Sequence, residues 1–343
     1  MTIHVGLTGG GNISETHARA ASTLSDVDIA AIYGTNTAKV SCLSHTYGAV
    51  AYSDFDTFLA HRPMELVIIG SLSGLHAAQG IAAAQHGLHL LTEKPIDVST
   101  VRADTLIQTA EQASVKLGVI FQDRLKPHIR RPKQWIDEGE LGKILLVEAQ
   151  VKWYRPGEYY QHSRWRGTQA LDGGGVLINQ AVHTLDLLAW LLGDVARVQA
   201  STGTVLHKIE VEDTAIAILE FSSGALGVLQ ATTAAYPGYP RRIETRGSLG
   251  TVVLKHDRIV VADLPAGAPT LEPAATDDNQ SASSAHVGDI RGHQAVFEDF
   301  LAAIRQNRAP ACDGRAGRRS LAVIESIYRA ARRPELAVQV VAG

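Results

Sequence analysis

Three groups of residues have types and spacings that could do chemistry. The first lies in "LHLLTEKPIDVST", where an apolar run, Leu88 to Leu91, ends in Thr92, Glu93, Lys94 and Pro95. A lysine at the end of a buried strand and partly withdrawn from water has a lowered pKa and can act as a base. The plain structural alternative is an exposed lysine at a strand end. The second group is Asn179 and His183 in "GGGVLINQAVHTLDLLAWLLG". Residues four apart share one face of a helix. A histidine on an apolar helix is commonly a satisfied core residue, but Gly173-Gly174-Gly175 just before it would let backbone come close to a ligand. The third group is "GLTGGGNIS", in which Gly9-x-Gly11-x-x-Ser14 follows an apolar strand and opens a helix. Glycines there allow a tight turn and close approach to a pyrophosphate, and the helix start at Asn12 and Ile13 offers N–H groups and a positive dipole end.

A dinucleotide site of this type expects a carboxylate at the end of the second strand to bind the ribose 2′-hydroxyl. That strand end reads Tyr33-Gly34-Thr35-Asn36, with no acid to repel a 2′-phosphate. Thr35 and Asn36 could hydrogen-bond such a phosphate and Lys39 could reach it. The expectation is NAD(P), leaning slightly to NADP.

The elements that must position these groups are legible as two patterns. Up to about residue 123, short apolar strands ("IHVGLT", "VDIAAIY", "LVIIG", "LHLL", "KLGVIF") alternate with helices over Ile13 to Leu24, Thr37 to Tyr47, Gly74 to His86 and Thr100 to Ala113. Buried strands separated by helices imply a parallel sheet covered on both faces, and right-handed crossovers make it doubly wound. This gives a Rossmann domain over 1–123. From 124 to 343 the pattern is α+β. A helix near His128 to Glu138 precedes "ILLVEAQVKWY", "VARVQASTGTVL", "DTAIAILEFSSGALGVLQATTAAY", "RRIETRG", "GTVVLK" and "RIVVADL", with "SSGA" and "RGSLGT" as hairpin turns. These strands predict a large antiparallel sheet, with one strong helix over Val176 to Leu192. Residues 264–287 predict a long surface loop. Two helices, near Asp289 to Gln306 and Ala316 to Arg333, close the chain and could pack back on the first domain.

The fingerprint at Gly9 to Ser14, Glu93-Lys94-Pro95, the helix carrying His183 and "EVEDTAIAILEFSSGALG" occur in an order that resembles the Gfo/Idh/MocA family of oxidoreductases across essentially the whole chain. The resemblance implies an NAD(P)-dependent enzyme that moves a hydride between a ring hydroxyl of a sugar, glycoside or cyclitol and the nicotinamide. It implies Lys94 and His183 as the proton-handling residues, Asn179 as a substrate-positioning one, and a cis peptide before Pro95. Many relatives carry aspartate at the position of Asn179; an amide binds a hydroxyl but cannot take its proton. The resemblance also places Gly34, Ser71, His76, Glu93, Trp165 and Arg166 toward the cofactor. Arg124 is placed toward the substrate, and Tyr154, Tyr160 and Tyr236 could stack on a sugar ring, with sheet packing the structural alternative. His286 and His293 flank the start of a late helix and could line the pocket. Relatives that retain NAD for a transient redox cycle, and a non-catalytic cofactor or sugar sensor, are the alternatives.

Composition narrows the remaining classes. The chain has 343 residues, net charge −3, 45% hydrophobic and 20% charged residues, ordinary for a globular protein of two domains. Its arginine pairs are scattered, so nothing points to nucleic acid or an anionic membrane. Cys42 and Cys312 match no metal or redox spacing, and the fourteen histidines include no pair at ligand spacing with a nearby acid, so no metal is expected. No apolar run approaches a membrane span. Met1 leads directly into "TIHVGLTGGG" without a signal-type leader, so a cytoplasmic protein is expected. One sheet face is left uncovered in a single chain, which predicts a homodimer or homotetramer.

Overall fold

The computed structural model describes residues 2–163, 165–265, 267 and 289–333. The chain divides into two compact units. The first holds residues 1–130, 170–173 and 285–321; the second holds 131–169, 174–284 and 322–343.

The first unit is built on six parallel strands, β1 (Ile3–Thr8), β2 (Val27–Tyr33), β3 (Val50–Tyr52), β4 (Leu66–Ile69), β5 (His89–Thr92) and β6 (Leu117–Val119), in the order β3-β2-β1-β4-β5-β6. The order reverses at β1, so the crevice beyond the carboxyl ends of β1 and β4 is where a doubly wound sheet binds its ligand. Helices α1 (Asn12–Ser22), α2 (Thr37–Tyr47), α3 (Phe55–Leu59), α4 (His76–Gln85) and α5 (Thr100–Gln112) connect the strands. All four residues of β4 are buried, as expected of a strand covered on both faces. α2 starts where the Asn36 side chain accepts the Lys39 N–H and stops at Gly48, whose φ of 71° ends the turn. The late helix α9 (Arg291–Arg305) belongs to this unit and contributes Val296, Phe297, Phe300 and Leu301 to the same core as Val5, Leu7, Ala18, Ala21 and Leu91. β3 is a three-residue exposed edge strand that the sequence pattern did not single out, because it is too short for any periodicity.

The second unit carries a seven-stranded sheet made of β7 (Ile144–Lys152), β8 (Val195–Gly203), β9 (Thr214–Phe221), β10 (Leu226–Thr232), β11 (Arg242–Gly247), β12 (Thr251–Lys255) and β13 (Arg258–Asp263). Their order is β13-β12-β11-β7-β10-β9-β8. The β9–β10 and β11–β12 hairpins fall where the turn sequences place them. The sheet is mixed rather than purely antiparallel, because β7 and β10 run parallel. The helix α8 (Val182–Leu192) returns the chain in the sense of β7, and the β8-β9-β10 meander restores that sense at its third strand. α8 packs on β7 and buries Val182, Leu185 and Leu188. The expected continuous helix from Val176 is interrupted: Leu177–Ala181 form a π turn before α8 begins. α6 (Pro127–Asp137), α7 (Gly157–Gln161) and α10 (Gly314–Ala331) complete the elements. Of the expected loop over 264–287, nearly all lies outside the described residues, as does His286.

Candidate active site

In the first unit the glycine turn after β1 fits a dinucleotide. Gly9 has φ +98°, and a Cβ there would stand 2.6 Å from the Gly70 carbonyl oxygen and 2.7 Å from Ser14 Oγ, so only glycine makes the turn. Gly11 caps α1 in extended conformation, and the space beside it is open, with nothing within 4 Å of a built Cβ. Asn12 and Ile13 begin α1 and present its unbonded N–H groups. Gly34 packs its Cα face on Val40, while Thr35, Asn36 and Lys39 are exposed at the end of β2.

Beyond β4, Ser71 keeps a buried hydroxyl without a hydrogen-bond partner. His76 is buried, with Nδ1 2.8 Å from the Pro95 carbonyl oxygen and Nε2 3.1 Å from that of Ser71. Burial lowers its pKa, with the two carbonyls opposing, so the neutral ring donates to one carbonyl at a time. Its ring is committed to the protein, tying the Ser71 loop to the turn that carries Lys94.

Lys94 leaves the carboxyl end of β5, and the Lys94–Pro95 peptide is cis. Burial pushes its amine pKa down, while Glu93, Asp172 and Asp123 partly offset this. Glu93 accepts the Lys94 backbone N–H at 3.0 Å. Asp123 and Arg124 occupy a 3-10 turn after β6. Arg124 is buried over the Phe121 ring at 5.9 Å, and Asp123 pairs with Lys126 at 2.6 Å. Sequence reasoning missed Asp172 as a neighbour of Lys94. It also missed His17, and it named His293 only as a candidate for lining the pocket; the two rings bracket Glu93, with His17 Nε2 3.1 Å and His293 Nε2 3.9 Å from Oε1. No local spacing signals these contacts, since each partner comes from a different, distant element.

In the second unit, Asn179 sits in the π turn and His183 in the first turn of α8, both half-buried. π turns recur at functional sites. Two of the three glycines before them are required by packing. A Cβ on Gly175 would fall 1.7 Å from the Glu212 carbonyl oxygen, and one on Gly174 would fall 2.1 Å from the Tyr328 hydroxyl. Glu212 is the organiser: Oε2 accepts the Gly175 N–H and Oε1 accepts the Leu177 N–H, both at 3.0 Å, while the Tyr328 hydroxyl donates to Oε1 at 2.9 Å. Next to it, the buried Asp213 accepts N–H groups of Val205, Leu206 and His207. These two acids give the "EVED" stretch its purpose.

The aromatic candidates divide. Tyr154 and Tyr236 meet edge to face at 5.2 Å, with Tyr236 78% exposed and free to meet a ring. Tyr160 is held by Thr233 at 2.9 Å. The Arg166 guanidinium lies over the Tyr159 ring at 4.2 Å and over Trp165 at 5.1 Å. Arg155, missed in the sequence, is buried over Trp153 and Tyr159 and donates to Gln180 beside Asn179.

Comparison with known proteins follows the same division. Residues 3–121 match the family model of the oxidoreductase family with an NAD-binding Rossmann fold, and residues 129–253 match the GFO/IDH/MocA C-terminal domain. An inositol 2-dehydrogenase of Rhizobium meliloti (strain 1021) is 26% identical over 337 residues, covering 96% of this chain and 97% of that protein. The crystal structure of the WlbA dehydrogenase from Bordetella pertussis in complex with NADH and UDP-GlcNAcA is 33% identical, with TM-score 0.86 and 97% of each chain covered. A levoglucosan dehydrogenase complexed with NADH and levoglucosan shares the fold, at TM-score 0.87 and 21% identity over 97% of this chain and 98% of that one. With both of its parts matched in order, the chain belongs to the Gfo/Idh/MocA family of oxidoreductases.

Proposed function

We propose that the protein is an NAD(P)-dependent dehydrogenase of a ring hydroxyl on a sugar, glycoside or cyclitol. The observation that carries the reading is Lys94: an amine whose pKa is lowered by burial, at the carboxyl end of β5, in the same sheet as a glycine turn that only glycine can make. A bound nicotinamide would supply the hydride acceptor, held by Gly9, Gly11, Asn12 and Ile13, with Gly34, Ser71 and Glu93 nearby in the same unit. Oxidation breaks the carbinol C–H and O–H bonds. With a nicotinamide bound to take the hydride, the hydroxyl proton would pass to the neutral Lys94 amine, leaving a C=O group. His183 and Asn179 are assigned to the substrate's hydroxyls, with His183 able to exchange a proton and Asn179 able only to donate and accept hydrogen bonds. Trp165 and Arg166 are assigned to the cofactor, and Arg124, Tyr154 and Tyr236 to the substrate.

Within the glycoside class, a second reading is favoured by a specific observation. The 33% identical relative was solved with a nucleotide-linked sugar acid, and this chain gathers Arg155 and Arg166 about Tyr159 in the unit that carries His183. A sugar acid on a nucleoside diphosphate is therefore part of the substrate range to be tried. The absence of an acid beside Thr35 and Asn36 supports acceptance of NADP as well as NAD and leans the cofactor slightly to NADP. The assay is nicotinamide absorbance with inositols, free sugars, glycosides and a nucleotide sugar acid, run against both cofactors. Reduction with one class supports the reading and names the substrate; a flat panel with a cofactor that co-purifies and stays oxidised would favour an internal redox cycle instead.

We further infer a cytoplasmic homo-oligomer. Ile216, Ile218 and Leu226 are each about half exposed on neighbouring strands β9 and β10, which leaves an apolar sheet face for a second copy to cover. No described helix is long and apolar enough to cross a membrane.

A further inference from the structure

The first unit holds a buried constellation that the proposed chemistry does not use. His17 on α1 is 0% exposed, His293 on α9 is 3% exposed, and both rings point at the Glu93 carboxylate. His17 Nε2 reaches Glu93 Oε1 at 3.1 Å but off the in-line geometry of a hydrogen bond, and the two rings cross edge to face at 5.4 Å. The other carboxylate oxygen, Oε2, accepts the backbone N–H of Lys94. Three polar groups from three separate elements thus converge on the residue preceding the proposed base. Buried charge persists only where it is paired, and Glu93 has no other described counter-charge besides these rings and Lys94 itself.

We propose that His17 and His293 are positioning residues that clamp Glu93 as a buried anion and, through its bond to the Lys94 backbone, fix the place and the electrostatic surroundings of the Lys94 amine. This rests on the reading of Lys94 as the reacting base. Burial alone would raise the Glu93 pKa, yet His17, His293 and Lys94 hold it down at about 2, so the carboxylate stays charged. Burial first, and His17 second, push His293 down to about 4, so its ring is neutral at working pH and faces Oε1 as a polar wall at 3.9 Å rather than as a counter-charge. The other charged or titratable groups facing the clamp are His76, Asp123, Lys126 and Asp172. The three ligand-type atoms lie within 4.8 Å of one another, a spacing a divalent ion could also bridge. However, Nδ1 of both rings lacks a partner, whereas a histidine on a metal almost always donates its other N–H to an acceptor. The clamp therefore acts through close polar packing and charge rather than through a metal.

The test reads Lys94 without any substrate. The full chain is labelled with trace acetic anhydride across a pH series, and the Lys94 peptide is followed by mass spectrometry. In the wild type, half-reaction falls below the ordinary lysine value. Glu93→Gln removes the neighbouring anion and moves the midpoint down by about one unit, about tenfold in rate at fixed pH. His17→Leu and His293→Leu shift it in the same direction, His293→Gln restores it by returning an N–H donor, and His293→Leu added to Glu93→Gln shifts it no further. Each variant is first shown to melt cooperatively; if His17→Leu does not fold, the two His293 variants carry the test. Leucine variants that keep the wild-type midpoint while Glu93→Gln shifts it would overturn the clamp. So would a stoichiometric divalent ion in the purified protein that the leucine variants lose. If the midpoints shift as stated but Lys94→Ala turns over normally, the clamp stands and the assignment of Lys94 as base fails.

Discussion

A lysine is an ordinary acid until its surroundings change it, and at Lys94 burial makes the change while Glu93, Asp172 and Asp123 limit it. The base must be neutral to take a proton. The account therefore predicts that kcat/KM for alcohol oxidation rises with pH through the lowered Lys94 value and levels off below the ordinary lysine pKa of about 10.4. A pH–rate profile checks this, and a limb that keeps rising past that value would contradict it. Lys94 and the glycines at 9 and 11 were legible because their chemistry depends on their immediate neighbours: a strand end, a turn, a helix start. Asp172, His17 and the contact of His293 with Glu93 were not, because each reaches the lysine or its neighbouring acid from a remote segment. Nothing in "HAR" marks His17, and the helix start that singled out His293 gave no sign of Glu93. Gly173-Gly174-Gly175 was visible as a motif, but its packing role was not: Gly174 and Gly175 make room for the Tyr328 hydroxyl and the Glu212 backbone.

The helix that presents Asn179 and His183 is an element with an unusual beginning. Its first turn is π rather than α, and its leading N–H groups are satisfied by Glu212 from a strand-leading loop. Glu212→Ala would leave the Gly175 and Leu177 N–H groups and the Tyr328 hydroxyl without their acceptor in a buried site, and should cost roughly 2–4 kcal/mol of stability. A denaturant melt measures it; a loss under about 0.5 kcal/mol would mean that water replaces the carboxylate at no cost. Helix positions, the two hairpins and the doubly wound sheet followed from periodicity and turn chemistry. The π turn did not, and the acid that satisfies the N–H groups leading into it comes from a distant segment. The parallel β7–β10 pairing did not either, because strand direction is fixed by how many reversals the chain makes between them, which alternation within a strand does not encode.

For the molecule as a whole, the buried histidine and acid make acid stability a readout of the first unit. His293 has a folded pKa of about 4, below its unfolded value, so its contribution is complete above about pH 6.5 and is lost as pH falls toward 4. That contribution is of order 3 kcal/mol at most. Glu93, held down at about 2, adds a further loss between about pH 4.5 and 2 with the same sign. Melting of the wild type should weaken steeply from pH 6.5 to 4, and His293→Leu should flatten that limb; an unchanged slope would contradict the buried neutral ring. In solution the apolar face of β9 and β10 predicts the mass of a dimer or tetramer by light scattering, with Ile218→Lys reducing it, and a monomeric wild type would contradict that inference. The central claim is that Lys94 takes the proton as the hydride leaves. Turnover of the cyclitol or sugar found in the absorbance panel, compared between wild type and Lys94→Ala with saturating cofactor, tests it most directly. A loss of roughly 10² to 10⁴ in rate with cofactor affinity retained is the predicted result; near-normal turnover by Lys94→Ala would contradict it.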